Sequence, residues 1–166
     1  KVTGEVWQDS LDFLNLHGGI GDIEDWRREN VNKLIKQLSD TIKSLRPEVQ
    51  FGISPFGVWR NRDRHILGSE TRAFQTCYDD LYADVLLWLR EGWIDYVAPQ
   101  LYWNIGYEPA DYQKLLYWWK DFLNGRNLYV GQAMYKVANN PVPAWSDSKE
   151  IPNQIKLNRA LPEVHG

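Results

Sequence analysis

The chain has 166 residues, enough for one domain, and its 43% apolar and 25% charged content predicts a packed core rather than disorder. Nineteen Lys and Arg against twenty-two Asp and Glu leave a formal charge of −3, without the basic surplus of a general nucleic-acid or anionic-membrane binder. No apolar run approaches the roughly 18–20 residues that span a bilayer, the first residues do not read as a signal peptide, and a single Cys77 excludes an internal disulfide and a multi-cysteine metal site.

In chain order, residues 1–21 have no sustained period and read as a long ordered loop with room for one helical turn, carrying Trp7, Asp9, Asp12 and a His17-Gly18-Gly19-Ile20-Gly21 turn. From Asp25 a helix is predicted, its apolar stripe made by Val31, Leu34, Ile35, Leu38, Ile42 and Leu45. Asp22 or Asp25 can cap its start, and Pro47 stops it. Residues 49–54 read as a buried strand, and the arginine-rich stretch 55–76 as a long loop. A second helix is predicted over 78–91, with Leu81, Val85, Trp88 and Leu89 on one face and Gly92 closing it in the left-handed conformation. Residues 94–101 make the second strand. A third helix is expected from Pro109, burying Tyr112, Leu115, Leu116, Trp119 and Phe122 and ending at Gly125. The third strand is placed at 128–135, a loop at 139–148, and a last helix around 152–161.

Regular alternation of helix and strand predicts an α/β fold with parallel strands joined by right-handed crossovers. No Gly-x-Gly-x-x-Gly follows a strand and no phosphate loop is present, which disfavours a dinucleotide site and nucleotide hydrolysis. Two architectures remain, a small open sheet or part of a (β/α)8 barrel. A complete barrel needs roughly 250 residues, so three strands supply less than half of one.

Ligands in either architecture bind beyond the carboxyl ends of the strands. After the first strand come Trp59 and Arg60, after the second Gln100, Tyr102 and Trp103, and at the third Gln132, Tyr135 and Lys136. Nine Trp, nine Tyr and five Phe make 14% of the chain, and aromatic rings beside amides and cations suit the alternating C–H and hydroxyl faces of a sugar. These eight residues are the candidate substrate-binding set. Trp59, Tyr102, Trp103 and Tyr135 read either as stacking platforms or as rim packing. Gln100 and Gln132 read as substrate contacts or as interior hydrogen-bond partners, and Arg60 and Lys136 as ligand contacts or surface ion pairs. Trp88, Trp118 and Trp119 read as packing.

The same residues carry a resemblance. The segments Asp25-Trp26-Arg27-Arg28-Glu29-Asn30-Val31-Asn32, Phe51-Gly52-Ile53-Ser54-Pro55-Phe56-Gly57-Val58-Trp59-Arg60-Asn61 and Tyr78-Asp79-Asp80-Leu81-Tyr82-Ala83-Asp84 resemble the glycosyl-hydrolase-like family ten. So do Glu91-Gly92-Trp93-Ile94-Asp95-Tyr96-Val97-Ala98-Pro99-Gln100-Leu101-Tyr102-Trp103 and Gly131-Gln132-Ala133-Met134-Tyr135-Lys136-Val137, and the match is collinear from about Gly4 to Gly166. The resemblance implies a bacterial (β/α)8 barrel, exported or bound in the cell envelope, that acts on bacterial or dietary glycan; some relatives cleave peptidoglycan strands stripped of their peptides. It further implies that residues 1–166 are one incomplete domain, the carboxyl-terminal portion of the barrel. Its strands would be the fifth to seventh, residues 1–21 would follow a fourth strand upstream of Lys1, and an eighth would come just after 161–166.

Glycosidases generally use two carboxyl groups, about 5–5.5 Å apart for retention and about 6.5–9.5 Å for inversion. No Asp or Glu lies at the carboxyl end of any of the three strands, so at least half of the pair is expected on the upstream strand. Asp79 and Asp80, opening the second helix, are the weaker catalytic candidates, with helix capping as the competing role. Three scattered histidines give no metal-ligand spacing, and no metal or cofactor is expected. Cys77 reads as a structural thiol, and Ser54 lacks a nucleophile elbow. A hydrolase fragment supplying the sugar-binding walls is the leading reading; a non-catalytic carbohydrate-binding module is the alternative, with a protein-interaction scaffold third. Isolated, a sheet with open edges is expected to self-associate.

Overall fold

The computed structural model describes residues 8–137 and 140–166. It is a mixed α/β structure around a three-stranded parallel sheet, β1 (Gly52–Ile53), β2 (Tyr96–Val97) and β3 (Asn127–Leu128), in the order β1-β2-β3. Gly52 pairs with Tyr96, and Tyr96 in turn with Asn127. These strands are shorter than expected because regular pairing gives way to single bridges. Phe56 meets Gln100 and Gln100 meets Gly131, carrying the three segments side by side to their carboxyl ends. A fourth parallel segment starts inside the chain: Val164 bridges to Leu128, and the His165 N–H donates to the Leu128 carbonyl at 2.8 Å. Pairing therefore begins within 161–166 rather than after it.

The helices are α1 (Ser10–Leu16), α2 (Ile23–Leu45), α3 (Cys77–Asp80), α4 (Val85–Arg90), α5 (Tyr112–Asp121) and α6 (Glu150–Arg159). Where the sequence reads as loop with one helical turn, residues 10–16 form a two-turn helix, and Trp7 lies outside the described residues. The helix there is held on α2 by an edge-on contact of Phe13 with Trp26 and by the Arg27–Asp9 ion pair at 2.5 Å. Asp22 caps α2, accepting from the Glu24 and Asp25 N–H groups. The buried face of α2 is rotated from the predicted stripe. It carries Trp26, Arg28, Asn32, Ile35 and Ser39, while Leu34, Leu38 and Leu45 stay exposed. Polar groups can sit there because they are paired: Asn32 accepts the Trp88 indole N–H at 2.7 Å, and Arg28 donates to the Tyr78 carbonyl.

The single helix predicted over 78–91 is two. Tyr82 takes φ of +54° between them, and Asp84 starts α4 afresh by accepting from the Leu87 N–H. Gly92 ends α4 at φ +71°, as a left-handed closure requires. Pro109 lies in a 3-10 turn, Glu108–Ala110, and α5 begins at Tyr112 under an Asp111 cap. The end of the predicted third strand, residues 134–135, lies instead in another 3-10 turn, Met134–Lys136.

The main core lies between sheet and helices, with Val85, Leu89, Ile94, Val97, Leu101, Leu115, Leu116, Trp119 and Leu128 buried, and a smaller cluster gathers Ala133, Trp145 and Ile151. Each such side chain contributes about 1.5–3 kcal/mol on burial. Trp88 and Trp119 belong to this core, as read from the sequence, and Trp118 packs at its margin.

Candidate functional site

The middle of the rim is the segment after β2. The Gln100 backbone bridges to Phe56 on one side and Gly131 on the other, and its side-chain amide donates to the Ser54 carbonyl at 3.3 Å. Trp103 stands edge-on to Phe56 at 5.5 Å. Gly57 makes that approach possible: a Cβ there would sit 2.5 Å from the Gln100 carbonyl oxygen and 2.7 Å from the Trp103 ring. The Phe-Gly-Val-Trp run and the Pro-Gln-Leu-Tyr-Trp run are thus two halves of one packed corner.

The third strand end supplies the next wall. Tyr135 is 67% exposed and meets half-buried Tyr102 edge-on at 6.2 Å. Lys136 donates through Nζ to the Tyr102 carbonyl at 2.5 Å and lies over the Trp145 ring at 5.4 Å. Burial lowers the Lys136 pKa by stripping hydration from the ammonium. Gln132 turns toward α6, donating Nε2 to Gln154 Oε1 at 3.0 Å. Gln100, Tyr102, Trp103, Gln132, Tyr135 and Lys136 are therefore carried on two adjacent strand ends, three aromatic side chains, two amides and a cation.

The first strand end is organised differently. Trp59 is only 4% exposed, stacked on Trp118 at 6.0 Å and flanked by Tyr78 and His65. No face of the indole is open to a sugar, so its place is packing rather than a platform. The covering loop is knotted by Asn61, whose carboxamide takes the Ala73 N–H and the Thr71 hydroxyl and donates to the Ala73 carbonyl. Arg60 forms a two-point pair with Asp79, Nε to Oδ2 at 3.0 Å and an Nη2 contact to Oδ1 at 2.8 Å, above the Tyr78 ring. Arg28 also lies over that ring, at 4.3 Å. Asp80 accepts from the Thr76 N–H and hydroxyl, while the Thr76 hydroxyl accepts from the Asp79 N–H, a reciprocal cap of α3. Both acids are thus engaged in pairing and capping, with Asp79 neutralised by the very arginine expected to face a ligand.

Cys77 is buried, its Sγ on the Phe56 carbonyl, and burial pushes the thiol up to about 12. At neutral pH it is protonated and unreactive. Among the described residues no three His, Cys, Asp or Glu side chains gather closely enough to hold a metal ion, and no helix is long and apolar enough to cross a membrane.

The structure adds residues that the strand-end reading missed. Glu150, Gln154 and Asn158 are buried on one face of α6. Glu150 Oε1 accepts the Ile105 N–H and a Gln154 N–H, both at 2.8 Å, and Gln154 also donates to the Trp103 carbonyl at 3.2 Å. The Tyr112 hydroxyl donates to Asn158 at 2.9 Å; burial pushes this phenol up to about 12, with Asn158 and Gln132 pulling it down. A spacing of four residues was the available signal, but polar residues at that spacing ordinarily mark a solvent face. Asp84 is the other omission. Burial raises its pKa, opposed by the Leu87 N–H and by the Trp59 indole, which approaches it without reaching hydrogen-bond geometry.

Comparison with known proteins follows the same segments. The family model described as glycosyl hydrolase-like 10 matches residues 10–147. Glycosyl hydrolase YngK of Bacillus subtilis (strain 168) is 48% identical over 169 residues, covering 100% of this chain and 33% of its own length. Glycosyl hydrolase DigH of Escherichia coli (strain K12) is 41% identical over 173 residues, covering 100% of this chain and 39% of its own length. The chain thus spans between a third and two fifths of these relatives.

Proposed function

Because the chain belongs to the glycosyl hydrolase-like 10 family, we propose that it forms one wall of the glycan cleft of a glycoside hydrolase with (β/α)8 barrel architecture. The observation that carries this reading is the aligned rim on the second and third strand ends. There Tyr102, Trp103 and Tyr135 offer rings, Gln100 and Gln132 amides, and Lys136 a cation, all at the end of a parallel sheet where ligands bind. The substrate is bacterial envelope glycan, in the form of peptidoglycan strands without peptides, and the protein works in the cell envelope. Residues 1–166 are the later part of the barrel, carrying its fifth to seventh strands.

Glycoside hydrolysis needs a proton donor and a second carboxylate across the scissile bond. Asp79 and Asp80 are committed to Arg60 and Thr76, so the acid–base pair comes from the part of the protein outside these residues. The rim then acts before bond cleavage: aromatic faces seat sugar rings, and amides fix hydroxyl groups, holding the glycosidic oxygen in register with the acid.

The test uses the full-length protein and the isolated 166 residues, each incubated with peptide-free peptidoglycan strands and read by mass spectrometry of released fragments. The full-length protein is expected to cleave and the isolated chain to give no turnover. Robust hydrolysis by the 166 residues alone would sink the division of labour. The engagement of both Asp79 and Asp80 also favours a second reading, a carbohydrate-binding module without catalysis; retention of the strands by the full-length protein with no new reducing ends would establish it.

A further inference from the structure

The buried stripe of α6 sets the polarity of the rim. Glu150 Oε1 accepts the Ile105 N–H, a backbone donor whose sense is fixed, so a second group facing that oxygen also donates to it. The amide nitrogen of Gln154 does so, completely buried and with no alternative partner in solvent. With its nitrogen committed to Glu150 and to the Trp103 carbonyl, Gln154 can turn only its oxygen to Gln132. Gln132 must then answer with its own NH2. Amide orientation is normally ambiguous, but here a carboxylate at the end of the relay removes the ambiguity.

We infer that Gln154 is a positioning residue, locked by Glu150, that holds the Gln132 amide with its nitrogen inward so that this strand end offers a carbonyl oxygen to the ligand. This deepens the glycan-cleft reading and rests on it. A fixed acceptor selects ligand groups that carry a proton, the hydroxyl or acetamido N–H of a sugar, and rejects an ether or carboxylate oxygen at that place. The same relay holds the Trp103 carbonyl and the Ile105 N–H, so the aromatic corner and the acceptor are set by one helix.

The experiment uses the full-length protein, with peptide-free peptidoglycan strands as the binding probe. Q132M and Q154M each lose one hydrogen-bonding amide at near-constant volume, and each is expected to weaken binding about tenfold. The double variant is expected to lose no more than about tenfold, because both act through one contact. Independent losses that multiply in the double variant would overturn the inference. A second readout is free of glycan: the Gln132 side-chain N–H signals, assigned by their loss in Q132M, are expected to exchange slowly in wild type and fast in Q154M. Equal exchange in both would overturn the positioning role. Should wild type bind no glycan while this protection difference holds, the relay stands and only the cleft reading falls.

Discussion

Asp95 sits at the amino end of β2, away from the rim, and ties two elements to it. Its Oδ2 accepts from the Phe51 N–H and from Lys43 Nζ, both at 2.7 Å. Burial by itself raises its pKa, but the ammonium and the amide together hold it below the ordinary carboxylate value. The sign follows. A carboxyl group depressed in the folded state adds stability above its unfolded pKa of about 3.9, and that stability drains away as pH falls through the lower folded value. Since both side chains are partly solvated, 37% for Lys43 and 26% for Asp95, the pair is screened. Asp95→Asn is expected to cost about 1 kcal/mol at pH 7. Urea unfolding at pH 7 and again at strongly acid pH checks it: the gap between wild type and variant should close in acid, and a gap independent of pH would contradict the assignment. At this scale the sequence was readable where position alone decides. Asp95 opens a strand and so faces away from the rim. Trp59 was not readable, because its burial depends on Trp118, some sixty residues on, reaching back under a loop that Asn61 closes. Gln154 was hidden for the opposite reason: a polar residue on an amphipathic helix looks solvated until its partners on other elements are known.

At the scale of elements, the order of helices and strands followed from periodicity, whereas the boundaries followed from caps and contacts. The apolar spacing across 78–91 is continuous, yet the chain breaks at Tyr82. That buried ring receives a hydrogen bond from Arg27 on α2, and Asp84 supplies a fresh cap. The α2 stripe was misplaced for a related reason. Leucine periodicity marks an apolar face, but the face that meets α4 is the one whose Asn32 matches the Trp88 indole. The joint between the first and second strand ends offers the sharpest test of element packing. Gly57→Ala inserts a methyl group where 2.5 Å separates it from the Gln100 carbonyl oxygen and 2.7 Å from Trp103. The segment 100–103 has to move, at a cost of about 1–3 kcal/mol in stability. Thermal unfolding should show the loss, and near-UV circular dichroism should report the displaced indole. A variant with wild-type stability and spectrum would refute the corner.

For the molecule as a whole, two surfaces bear on behaviour in solution. Among the described residues no strand pairs on the outer side of β1, and Leu34, Leu38 and Leu45 on α2 and Leu11, Leu14 and Leu16 on α1 are exposed. An open parallel edge together with exposed apolar side chains favours association. The 166 residues alone are expected to sediment as dimers or larger species in a concentration-dependent way, and a monodisperse monomer at all concentrations would refute this. The parallel α/β plan was legible in the sequence from alternation alone, while the fourth pairing segment was not, since three residues at Val164 carry no period. That short segment completes a simple rule: strand order in space repeats strand order in the chain, from β1 through β2 and β3 to Val164. During synthesis β2, β3 and the Val164 segment therefore each emerge beside a neighbour that has already left the ribosome. From β1 onward the sheet can be laid down in one direction, each edge serving as the template for the next strand.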